Sequence, residues 1–198
     1  MSEPAGWLAI AAAYLLGAVP TGYLVFRWMR GEDIRGLGSG NIGATNVMRA
    51  GGKAAGVVTL LLDALKGSAA VLLAQAIVEG PPWSEAAAFA AIVGHCYPIF
   101  LRFRGGKGIA TGCGAYLVLA PVPMAIALAV FLAVAALTRI VSAGSIAAGV
   151  ALPLAIAWWQ PERALLISVA AAVALAIGRH HANIRRLLAG REHRVDGT

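Results

Sequence analysis

The sequence predicts an all-α integral membrane protein, and three observations predict it. Hydrophobic residues make up 60% of the 198-residue chain and charged residues only 13%, with a mean hydropathy of +0.78. Soluble domains do not reach that balance. The apolar runs approach the ~20 residues that carry a helix across ~30 Å of hydrocarbon. Finally, the Lys and Arg residues gather in alternate connections, as membrane topology demands.

The runs define about seven spans: 7–26, 54–78, 85–101, 109–119, 122–137, 142–159 and 163–178. The fourth is short, because Pro121 and Pro123 enforce a break after Leu119; we read it as a half-helix. Arg27, Arg30, Arg35, Arg49 and Lys53 fall on one side of this map, together with Arg102, Arg104, Lys107, Arg139 and the basic tail 179–194. The opposite loops carry Glu3, Glu79, Glu85 and Glu162, with Arg163 the basic exception. The positive side is cytoplasmic, so the expectation is an N-terminus outside, a C-terminus inside and one domain over 1–198. The first run is an anchor and not a secretory signal: residues 1–6 hold Glu3 and no base, and the bases follow the apolar stretch.

Composition also excludes functions. The net charge of +7 is a membrane-face property, and no basic soluble domain exists to carry nucleic acid. Cys96 and Cys113 lack a CxxC spacing or zinc-finger histidines, so both are packing residues. Carboxylates are too few for a magnesium cluster. No metal and no cofactor is expected.

Two glycine-rich loops carry the chemistry. The first contains Gly38, Ser39, Gly40, Asn41, Gly43, Thr45, Asn46 and Arg49. Its glycines expose successive N–H groups, the neutral side chains add donors, and Arg49 offers a forked cation for phosphate oxygens. Ser39 is also placed to cap a short helix starting near Asn41. The second loop is Arg104, Gly105, Gly106, Lys107 and Gly108. It is not a Walker A motif, which requires Gly where Leu101 stands and Ser or Thr where Gly108 stands. What remains is a backbone turn that admits an anion, with Lys107 as a point charge. Arg102 suits membrane-surface anchoring.

Further candidates lie elsewhere. His180 and Asn183 share one face at helical spacing, Arg179 and Arg186 another, while Glu192 reads as a structural salt bridge. Asp63 and Lys66 lie inside the second span, one turn apart; they are either a self-neutralising structural pair or substrate-facing. Ser142 either bonds back to its helix or lines the pocket.

Together these segments resemble the bacterial acyl-phosphate:glycerol-3-phosphate acyltransferase family, PlsY. The resemblance rests on the Ser39–Asn46 octapeptide with Arg49, on Asp63 through Lys66 to Gly67, on Gly94-His95 through Pro98 to the 105–108 loop and Thr111, and on Arg179 through Asn183 to Glu192. Arg104 stands where similar proteins often have Lys. The resemblance implies transfer of a fatty acyl group from acyl phosphate to the 1-hydroxyl of glycerol-3-phosphate, giving lysophosphatidic acid and phosphate, the first acylation of phospholipid biosynthesis. It implies a site on the cytoplasmic face of the bacterial inner membrane, and glycerol-3-phosphate, acyl phosphate and membrane lipids as partners; the sequence leaves the oligomeric state open, a monomer being one option.

No acyl-enzyme is needed, since a mixed anhydride carries its own leaving group, and neither a G-x-S-x-G elbow nor a Cys/His pair appears. Ser39, Arg49, Lys107, His180 and Asn183 are the expected catalytic set. Gly40, Asn41, Thr45, Asn46, Lys66, Arg104, Gly105, Gly106, Gly108, Thr111 and Ser142 are the expected substrate- and phosphate-binding residues. The proton acceptor is His180, whose reference pKa near 6.5 suits a base, or a substrate phosphate oxygen; the resemblance implies the phosphate. A phosphometabolite transporter is the rival class, with midplane sites and inverted halves. Phosphate release from acyl phosphate and glycerol-3-phosphate separates the two.

Overall fold

Long apolar runs punctuated by proline and glycine give ten α-helices among the described residues, 3–194 of a computed structural model, and no strand there. Five segments are long and apolar enough to cross a membrane: Glu3–Arg30, Lys53–Ile77, Trp83–Leu101, Pro121–Thr138 and Val141–Trp159. A bent pair, Arg163–Arg179 with His181–Leu188, makes a sixth candidate. The remaining apolar helix, Ile109–Leu119, has 11 residues, about 16 Å at 1.5 Å per residue, half a hydrocarbon core.

The chain divides into two compact units, Met1–Val118 and Leu119–Thr198. In the first, α1 (Glu3–Ala18) and α2 (Thr21–Arg30) are interrupted at Val19–Pro20. The predicted span over 7–26 lies within the single candidate span Glu3–Arg30, although a hydropathy run alone suggests an unbroken helix. Pro20 breaks that helix, because it has no N–H to donate and its ring crowds the preceding turn. Then follow α3 (Ala44–Gly51), α4 (Lys53–Ile77), α5 (Trp83–Cys96) and α6 (Ile109–Leu119). The predicted span 85–101 ends early as α-helix: Pro98 breaks it, and Ile99–Leu101 forms a single 3-10 turn.

Small residues hold this unit together. Ala9, Ala13, Ala70, Ala74, Ala87 and Ala91 form one buried cluster with Val78. A Cβ on Gly17 would lie 2.0 Å from the Ala91 carbonyl oxygen, and one on Gly94 2.2 Å from that of Tyr14. The backbones of α1 and α5 therefore touch. This is the packing mode of helices that have no hydrophobic drive to associate inside lipid. Gly67 meets the Thr111 carbonyl in the same manner, and Gly114 that of Ala64, seating α6 on α4. Ser68 Oγ adds a hydrogen bond to the Gly114 carbonyl at 2.8 Å. The outward face of α4 presents Leu61, Leu65 and Leu72, the apolar surface expected against acyl chains.

The second unit contains α7 (Pro121–Thr138), α8 (Val141–Trp159), α9 (Arg163–Arg179) and α10 (His181–Leu188). Gln160 Nε2 donates to the Leu119 carbonyl at 3.1 Å. Between α9 and α10 the axis turns by 60°. His180 caps both helices, as C-cap of α9 and N-cap of α10, and it and Asn183 are both buried, whereas the bend parts Arg179 from Arg186, which belongs to α10.

Candidate active site

The first loop is a self-braced cradle. Asn46 is buried, and its side chain spans the loop: Oδ1 accepts from the Ser39 N–H at 2.9 Å, while Nδ2 donates to the carbonyls of Leu37 at 3.1 Å and Asn41 at 2.9 Å. Asn41 Oδ1 accepts from the Gly43 N–H at 2.7 Å. Those two amides thus shape the loop from within. The Asn46 oxygen leaves no space for a side chain at Gly38, whose φ is +56°. The expected Ser39 cap on a helix near Asn41 is not formed. Helix α3 begins at Ala44 with Gly43 as N-cap, because Asn41 tightens the preceding turn. Ser39, Gly40 and Arg49 are exposed and Thr45 half-buried.

The second loop is folded back onto the end of α5. Arg102 and Phe103 both adopt left-handed backbone conformations, with φ of 53° and 62°. Each costs on the order of 1–3 kcal/mol for a residue with a side chain. Hydrogen bonds from the Phe103 N–H to the Pro98 carbonyl at 2.9 Å and from the Arg104 N–H to the Leu101 carbonyl at 3.2 Å offset that cost. The reversal delivers the Gly105 N–H to the Cys96 carbonyl at 3.2 Å and the Gly106 N–H to the His95 carbonyl at 3.0 Å. Helix-end carbonyls that would lack partners are thereby satisfied. Gly108 (φ +79°) packs against Ile92, with Lys107 half-buried beside it.

Both loops border one cavity of about 770 Å³, lined by Tyr23, Asp33, Arg35, Gly40, Phe100, Leu101, Arg102 and Arg104. Asp33 binds Arg35 through both oxygens, the shortest contact 2.6 Å. The hydrogen-bonded guanidinium of Arg35 holds the Asp33 carboxyl below the usual carboxylate range. Arg35 also stacks 5.5 Å from the Tyr23 ring centroid. Three arginines against one carboxylate leave the lining positive, the polarity that a phosphate monoester needs.

Beneath the second loop lies a buried polar cluster. Lys66 Nζ is 2.8 Å from Asp63 Oδ1 and donates to the Val19 carbonyl at 2.8 Å, at the Pro20 break. Thr21 Oγ1 donates to the same carboxylate oxygen, and His95 Nδ1 lies 3.3 Å from it. Lys66 therefore neutralises Asp63 inside the helix bundle. Thr111 is fully buried, its hydroxyl without a hydrogen-bond partner.

In the second unit, Glu192 gathers three donors. Asn183 Nδ2 reaches Oε1 at 2.7 Å and Ser142 Oγ the same oxygen at 3.1 Å, while Arg186 Nε bonds Oε2 at 2.7 Å. Burial raises the Glu192 carboxyl, but the bonds from Arg186, Asn183 and Ser142 outweigh it and hold the group below its ordinary value. The structural salt bridge expected of Glu192 is present, and the Ser142 hydroxyl bonds Glu192 and not a carbonyl of its own helix. His180 is buried, with Nδ1 2.7 Å from the Ala176 carbonyl.

A family described as glycerol-3-phosphate acyltransferase matches residues 7–190. A glycerol-3-phosphate acyltransferase of Desulforudis audaxviator is 49% identical over 98% of both chains. One from Syntrophotalea carbinolica is 47% identical over 95% of this chain and 96% of its own. The chain belongs to the glycerol-3-phosphate acyltransferase family. Crystal structures of PlsY, an integral membrane glycerol 3-phosphate acyltransferase, superpose with TM-scores of 0.91 for the glycerol 3-phosphate form and 0.87 for the lysophosphatidic acid form. They are 38% and 36% identical, and each match covers 96% of this chain and 94% of the other.

Sequence reasoning about this family member missed several groups. Arg35 and Tyr23 line the cavity, yet neither had a local motif to announce it. His95 and Thr21 join Asp63 only through tertiary contacts. For Glu192 the salt bridge was foreseen from an acid among bases, but not its bonds to Asn183 and Ser142.

Proposed function

We propose that this chain, as one acyltransferase domain over 1–198, moves a fatty acyl group from acyl phosphate to the 1-hydroxyl of glycerol-3-phosphate. The observation that carries the reading is the cation-lined cavity bordered by both donor-rich loops, in a chain that belongs to this acyltransferase family. The hydroxyl oxygen attacks the acyl carbonyl carbon and the carbon–oxygen bond to phosphate breaks. The hydroxyl proton leaves on the phosphate, so the products are 1-acyl-glycerol-3-phosphate and inorganic phosphate. No covalent acyl-enzyme is required.

The roles divide by chemistry. Arg49 and Lys107 hold phosphate charge, with Arg104 contributing from the cavity wall. Ser39, Gly40 and Thr45, with the 105–108 backbone, surround the phosphoryl oxygens as charge moves to the leaving group. Asn41 and Asn46 keep that cradle in shape. His180 and Asn183 orient the glycerol hydroxyl, with Ser142 and Glu192 fixing Asn183. Nδ1 of His180 faces a carbonyl, so it carries the ring proton. A substrate phosphate oxygen takes the hydroxyl proton, and positioning supplies much of the rate. Lys66 supports the fold around the loops, and Thr111 seats the helix that follows them.

The site faces the cytoplasm at the inner membrane, and a single copy suffices. The purified protein in detergent should release inorganic phosphate from acyl phosphate only when glycerol-3-phosphate is present. Equal turnover with acyl-coenzyme A would remove acyl phosphate as the specific donor. Absence of lysophosphatidic acid with either donor would sink the reading.

A further inference from the structure

We infer that the buried Asp63–His95 pair is a positioning device for the second glycine loop, fixing where Lys107 presents its ammonium. The inference rests on the role proposed for Lys107.

His95 is not needed for charge balance, because Lys66 already meets Asp63 at 2.8 Å. Nor is the ring there to complete a good hydrogen bond. Its Nδ1 comes within 3.3 Å of Asp63 Oδ1 but off the hydrogen-bonding line, so that a buried nitrogen has no aligned partner. An apolar side chain would fill the same volume without that penalty. An ionisable group kept at such a cost inside a membrane bundle calls for a functional reason.

The other edge of the ring supplies it. A Cβ at Gly106 would sit 2.0 Å from His95 Nε2, and one at Gly105 2.2 Å from the His95 carbonyl oxygen. That carbonyl accepts the Gly106 N–H at 3.0 Å, and the next one, of Cys96, accepts the Gly105 N–H at 3.2 Å. Ring and carbonyl of one residue therefore template the two glycines, and Lys107 follows one Cα step of about 3.8 Å later. Asp63 packs against the far side of the ring, its carboxylate 3.3 Å from Nδ1. The carboxylate is itself fixed from two more directions, by Thr21 at the start of α2 and by Lys66, which is tied to the Val19 carbonyl. The break in the first span, α4 and α5 thus meet at one carboxylate whose outward effect is the seat of the loop.

The chain has three lysines, Lys53, Lys66 and Lys107, which makes the loop directly observable. Reductive ¹³C-dimethylation of the folded protein in detergent gives few methyl signals, with that of Lys107 assigned by Lys107→Arg. Asp63→Asn and His95→Asn should shift or broaden the Lys107 signal and leave Lys53 in place. In unmethylated protein the same variants should lower kcat/KM for glycerol-3-phosphate at least tenfold. Ala13→Gly, which loosens the buried alanine cluster, should leave the Lys107 signal unmoved.

An unmoved Lys107 signal in both variants overturns the inference, as does unchanged kcat/KM. So does a Lys107 shift equally large in Ala13→Gly. If Asp63→Asn does not fold, His95→Asn together with Gly106→Ala decides, the latter disturbing the seat from the loop side. A wild-type protein without acyl transfer, in which Lys107 still responds to Asp63→Asn, would mean that the activity reading fails while the brace stands.

Discussion

At the scale of single residues, the proposed phosphate handling rests on a few cations and amides whose loss should have separable effects. Arg49→Ala removes an exposed guanidinium from α3, so the protein should fold normally and lose a hundredfold or more in kcat/KM, about 2.7 kcal/mol of transition-state stabilisation; steady-state phosphate release checks this. Asn183→Ala should do the same while also freeing one lone pair of Glu192. Glu192→Gln breaks the charged contact with Arg186 and should cost roughly 1–3 kcal/mol. Because the native carboxyl is held below its ordinary value of 4.5, that stabilisation is complete above this pH and fades as the medium is acidified through the lowered native value. The gap in thermal midpoint between wild type and Glu192→Gln should be constant from about pH 6 to 8 and close below about 4.5. The donors of both loops were readable in the sequence because glycine, serine, asparagine and arginine concentrate there. The internal use of Asn41 and Asn46 was not, since a side-chain amide that braces its own loop has the same composition as one that meets a ligand.

At the scale of elements, hydropathy located the spans to within a few residues, and its failures are all at breaks. The interruption at Val19–Pro20, the end of α5 at Pro98 and the 60° turn at His180 do not change mean hydropathy. They change only where backbone donors run out. Proline announces the first two, though the mean of a window conceals it. The third has no proline; it falls at His180, a buried residue that caps both helices. The seam between α1 and α5 gives a direct test. Gly17→Val or Gly94→Val forces a side chain into a neighbouring backbone, and the overpacking should cost about 1–3 kcal/mol or more. Thermal unfolding in detergent should show the loss, whereas Gly178→Val, where a Cβ meets nothing within 4 Å, should change little.

At the scale of the molecule, charge asymmetry predicts that both glycine loops and the C-terminal helix face the cytoplasm. Single cysteines at Ser39, Lys107 and Arg191 should all react with a membrane-impermeant maleimide only in inverted vesicles; labelling from opposite sides would break the proposal. The Gly-to-carbonyl contacts of α1 with α5 carry a last consequence. Two helices whose main chains already touch cannot be wedged apart by an oily guest without undoing the bundle, so this seam is a fixed wall. Entry of the proposed donor's fatty tail and sideways escape of a one-tailed lipid would have to use other surfaces, and swapping seam alanines for glycines should leave the chain-length preference unaltered.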